Sequence, residues 1–109
     1  MRTIPHFIVG GDSLPAPTRF GDVFNPSIGE VQARVALGDQ AVLDAAIATA
    51  KRVQPEWAAT NPQRRARVMF RFKQLIEENM QALAELLASE HGKVVDDAKG
   101  DIQRGLEVI

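Results

Sequence analysis

The residue types that carry most acid–base and nucleophilic chemistry are sparse in this 109-residue chain. There is no cysteine, which excludes a thiolate nucleophile, thiolate metal sites and disulfides within the chain. Carboxylates occur in the pairs Glu77-Glu78 and Asp96-Asp97. General acid–base work needs two carboxylates converging on one point, and adjacent residues do not share a helix face, so both pairs read as solvated. His6 and His91 stand alone, without the spaced partners a metal site requires, and read as surface or hydrogen-bonded histidines. Gly10-Gly11 lacks the pattern and the following helix of a phosphate-cradling loop, and reads as a hairpin turn. The densest charged feature is Arg64, Arg65, Arg67, Arg71 and Lys73, followed by Glu77, Glu78, Glu85 and Glu90. On one helix that order opposes the macrodipole. The basic half alone would suit a phosphate backbone. The acidic half and the overall balance of 13 basic against 14 acidic residues, net −1, favour solvated or interface arginines, with no nucleic-acid and no membrane partner.

These residues must be positioned by elements that the punctuation of the chain delimits. With 45% apolar and 25% charged residues, the composition is that of one soluble globular domain. No apolar run is long enough to span a bilayer, and Met1-Arg2-Thr3-Ile4-Pro5-His6 carries no signal-peptide core, so a cytoplasmic location is expected. Residues 1–38 hold Gly10, Gly11, Gly21, Gly29 and Gly38 among Pro5, Pro15, Pro17 and Pro26, the punctuation of short strands and turns. Phe7-Ile8-Val9 reads as a first strand, Val23-Phe24 as the start of a second, and Asn25-Pro26-Ser27-Ile28-Gly29 as a turn. Val31, Ala33 and Val35 alternate with polar residues, as in a half-buried strand.

From Asp39 the period becomes helical. Asp39 caps a helix striped by Val42, Leu43, Ala46, Ile47, Ala50 and Val53, which Pro55 should end near Val53. Trp57, in the connector that follows, reads as a packing plug between helices. Asn61-Pro62 starts a second helix, expected to run to about Ser89, with Met69, Phe72, Ile76, Met80, Leu83 and Leu87 on one face, widened by Val68, Leu75 and Leu86, and Gly92 as its terminator. The short connector predicts that the first two helices pack antiparallel, Ile47 and Ala50 against Ile76, Met80 and Leu83. A third helix bears Val95, Ala98, Ile102, Leu106 and Ile109, without a stop signal. Gly100 and Gly105 within it cost about 1 kcal/mol each relative to alanine, which suggests another element close by. That stripe is expected to lie bare and to drive self-association.

Several segments resemble the aldehyde dehydrogenase family. Asn25-Pro26-Ser27-Ile28-Gly29-Glu30 is similar to an NPxTGE segment near the family's N-terminus. Ala45-Ala46-Ile47-Ala48-Thr49-Ala50 through Pro55-Glu56-Trp57 resembles its first helix and tryptophan, and Glu90-His91-Gly92-Lys93, followed by Ala98-Lys99-Gly100-Asp101, its ExGK turn. The pieces occur in order over nearly the whole chain. Residues 64–73 and 100–109, with Arg104-Gly105, are similar to the CoA-acylating branch that oxidises methylmalonate and malonate semialdehydes.

The resemblance implies an α/β parent fold, of which this chain is an α+β N-terminal fragment: short β strands over 1–38, then three α-helices over 39–109. Together these form an outer part of the NAD-binding domain of a longer, oligomeric enzyme of valine or inositol breakdown. It implies NAD and CoA as cofactors of the whole enzyme and none for this chain, which alone is expected to be inactive and without NAD affinity. Expected partners are the remainder of the enzyme, its homo-oligomer subunits and a small-molecule aldehyde. No catalytic, cofactor-binding or metal residue carries over, because the family's cysteine, acid–base glutamate and glycine-rich segments do not align here. Rival readings are another aldehyde dehydrogenase, such as a succinate-semialdehyde or betaine-aldehyde enzyme, and a non-catalytic helical interaction module.

Overall fold

The computed structural model describes residues 1–8 and 14–109. Three short strands precede four helices, the expected α+β order with one more helix than the periodicity predicts. Residues 1–24 with 31–59 form one compact unit, and 25–30 with 60–109 a second. The expected turn at Gly10-Gly11 lies outside the described residues.

In the first unit, β1 (Arg2–Ile4), β2 (Arg19–Asn25) and β3 (Glu30–Leu37) form a sheet in the order β1-β3-β2. The first strand is therefore not at Phe7-Ile8, which are outside any strand, with Phe7 88% exposed. β1 gains its ladder from a distant segment: it runs parallel to β3, with Arg2 opposite Ala33 and Ile4 opposite Val35. Local pattern carries no record of that pairing. The alternation read in β3 holds for Ala33, which is fully buried, and for exposed Arg34, whose Nε donates to Asp22 Oδ1 of β2 at 3.2 Å.

Helix α1 (Gln40–Ala59) begins as the cap predicts, the Val42 N–H donating to Asp39 Oδ1 at 3.0 Å. It buries Val42 and Thr49. It does not stop near Val53: Pro55 lies inside it, and Trp57, half exposed, belongs to the helix and not to a connector. Proline removes one donor and crowds the preceding turn, but the turns on either side keep the helical course.

In the second unit, Asn61 caps α2 (Pro62–Glu78) by accepting from the Gln63 N–H at 2.8 Å. The second predicted helix divides at Asn79, which separates α2 from α3 (Met80–His91). The Asn79 side-chain amide donates to the Leu75 carbonyl at 2.8 Å. Its backbone N–H reaches the Leu75 and Ile76 carbonyls at 3.1 and 3.2 Å. A side chain that competes for the helix's own acceptors is a recognised way to interrupt it. Gly92 closes α3 as expected, left-handed at φ 85°, its N–H donating to the Ala88 carbonyl at 2.8 Å.

Helix α4 (Val95–Leu106) packs on α3. Ala84 of α3 and Ala98 of α4 are fully buried, and Leu106 is 2% exposed. Alanines at such positions let helix backbones approach closely. The α4 stripe expected to lie bare is thus largely covered by its own chain. Gly100 and Gly105 have open space where a Cβ would stand, so no element presses on them among the described residues. Ile76 and Leu83, expected to meet Ile47 and Ala50, line a groove with Ile102 and Leu106 of α4.

Candidate functional site

Two arrangements in the second unit bring together residues of distant sequence position. The first lies where α3 hands over to α4. The turn at 25–30 is built by Asn25, whose Oδ1 accepts from the Ser27 N–H at 2.9 Å and whose carbonyl accepts from the Gly29 N–H at 2.8 Å. That turn presses Pro26 onto the α3 terminus so closely that a Cβ on Gly92 would stand 2.9 Å from Pro26 Cγ. Gly92 is therefore required twice over, by its positive φ and by the proline ring against it. The segments Asn25–Glu30 and Glu90–Lys93, which carry the sequence resemblance, are here one piece of structure.

Beside it, the Lys93 ammonium lies 3.2 Å from Asp97 Oδ2 and forms a closer ion pair with Asp101, which also accepts from Arg104 Nη1 at 2.6 Å. The Lys93 side chain is only 16% exposed, so the pair ties the loop before α4 to the body of that helix. Hydrogen bonding to Asp101 holds the Lys93 ammonium above the ordinary lysine range. The same bond holds the Asp101 carboxyl below the ordinary aspartate range. Both groups stay charged around neutrality, so neither is poised to exchange a proton; the cluster acts as a clamp. The sequence alone places Asp97 on a solvated face. The signal that could have placed it is the spacing of Lys93, Asp97 and Asp101, four residues apart across the start of α4.

The second arrangement is an open groove of about 690 Å³ between α2, α3 and α4, with Phe72, Leu75, Ile76, Leu83, Ile102 and Leu106 among its lining. Asn79 is the one polar side chain on its walls. Such a surface can receive apolar side chains and offers almost nothing to orient a polar ligand.

The other residues marked in the sequence are not drawn into either arrangement. Glu78 accepts from Gln74 at 2.7 Å and lies 3.6 Å from Arg71 Nη1, while Glu77 and Asp96 are exposed. His91 is exposed at the end of α3. His6 is half-buried against Gly38, and its Nε2 has no partner among the described residues, unlike the surface or hydrogen-bonded histidine expected. No group of three metal-capable side chains occurs among the described residues.

Comparison with known proteins places this geometry. The pattern of the aldehyde dehydrogenase family matches residues 15–109. A malonate-semialdehyde dehydrogenase of Pseudomonas aeruginosa is 42% identical over 102 residues, covering 94% of this chain and 20% of that protein. The human mitochondrial methylmalonate-semialdehyde/malonate-semialdehyde dehydrogenase [acylating] is 41% identical over 107 residues, covering 98% of this chain and 20% of its own length. A crystal structure from Sinorhizobium meliloti 1021, assigned as a methylmalonate-semialdehyde dehydrogenase and complexed with NAD, superposes with a TM-score of 0.92 at 56% identity. It covers 99% of this chain and 22% of that one. The chain spans about a fifth of the length of these relatives. By sequence and by fold, it belongs to the aldehyde dehydrogenase family.

Proposed function

We propose that this chain is the N-terminal segment of an NAD-dependent, CoA-acylating methylmalonate- or malonate-semialdehyde dehydrogenase, acting in the cytoplasm as part of a homo-oligomer. The observation that carries the reading is the 56% identity and 0.92 TM-score, over 99% of the chain, to the Sinorhizobium structure complexed with NAD. The acylating activity is supported by the human relative, whose name includes it.

In such an enzyme a thiolate attacks the aldehyde, hydride leaves to NAD and CoA takes the acyl group from the thioester. The apolar walls of the groove and the lack of a glycine-rich strand-to-helix turn in the sequence support a part for this segment other than holding NAD. That part is architectural. The segment forms an outer layer of the NAD-binding domain, with Gly92, Pro26 and the Lys93–Asp101 clamp fixing the corner between the N-terminal turn and α4.

The test is a chimera. These 109 residues replace the corresponding segment of the Pseudomonas aeruginosa relative, and CoA-dependent reduction of NAD by malonate semialdehyde is followed. The reading expects activity within about tenfold of the parent, a loss of no more than about 1.4 kcal/mol in transition-state stabilisation. A folded chimera that has lost acylating turnover while the parent retains it overturns the reading.

A further inference from the structure

We draw no further inference here: the strongest candidate, the apolar groove between α2, α3 and α4 lined by Phe72, Leu75 and Ile102, carries nothing because nothing in the structure shows what covers it.

Discussion

The second unit contains two kinds of amphipathic helix. Helices α3 and α4 bury Ala84, Ala98 and Leu106 against their surroundings, whereas α2, longer than either at 17 residues, buries none. Yet α2 also has a clear apolar stripe in the sequence, with Phe72 and Ile76 at helical spacing and Val68 and Leu75 beside them. Periodicity states that a face requires cover; it does not state what provides the cover. For α3 and α4 the cover is the neighbouring helix, whereas no residue of α2 is buried.

The largest effect that separates the two regions is expected at Leu106. Leu106→Ala should destabilise the chain by about 3 kcal/mol, because a nearly buried leucine leaves a cavity. Leu75→Ala, at 41% exposure, should cost less than about 1 kcal/mol in the monomer. Urea denaturation at a concentration where the chain is monomeric compares them. Equal losses at the two positions would mean that α2 is as well packed as α4.

Next comes Gly92. Gly92→Ala should cost about 2 kcal/mol, from the left-handed backbone and from the Pro26 ring in the path of a Cβ. Adding Pro26→Ala to that variant should restore the part due to the ring and leave about 1 kcal/mol due to φ. If the two substitutions simply add, the turn and the helix terminus are not one structure.

Asn61→Ala, which removes the α2 cap, should cost about 1 kcal/mol or less, since α2 contributes little buried surface of its own. The smallest effect concerns pH. Asp101 has a depressed value when folded, so its contribution is present above the ordinary aspartate range and lost as pH falls through the folded value. Lys93 has a raised value, so its contribution is present below the ordinary lysine range and lost as pH rises through the folded one. Stability should therefore be flat with respect to this pair between those limits. Asp101→Asn should flatten the fall on both the acid and the alkaline side, and added salt should reduce the difference between variant and wild type.

The sequence was most legible where a single residue sets a local boundary. Asp39 and Asn61 cap helices because their side chains reach amides two or three residues on, and Gly92 terminates one because only glycine takes that φ at little cost. The alternation of β3 was legible at Ala33 and Arg34 and lapses at buried Ala36 and exposed Leu37. Legibility failed where the deciding partner is remote or where two local signals compete. β1 exists because β3 pairs with it, not because Arg2, Thr3 and Ile4 favour strand. Asn79 sits inside a continuous apolar period, and its side-chain bond to Leu75 outweighs that period. Pro55 carried the opposite error: one lost donor did not end α1. The ion-pair cluster around Lys93 was visible only as spacing, and the groove not at all, since it depends on which helices come together.

Native-state hydrogen exchange of the 109-residue chain, read by mass spectrometry at low micromolar concentration, tests the central claim most directly. If α3 and α4 form the stable part of the second unit and α2 awaits cover, the interior amides of α3 and α4 exchange more slowly than those of α2. Amides of α2 as protected as those of α4 would contradict the account.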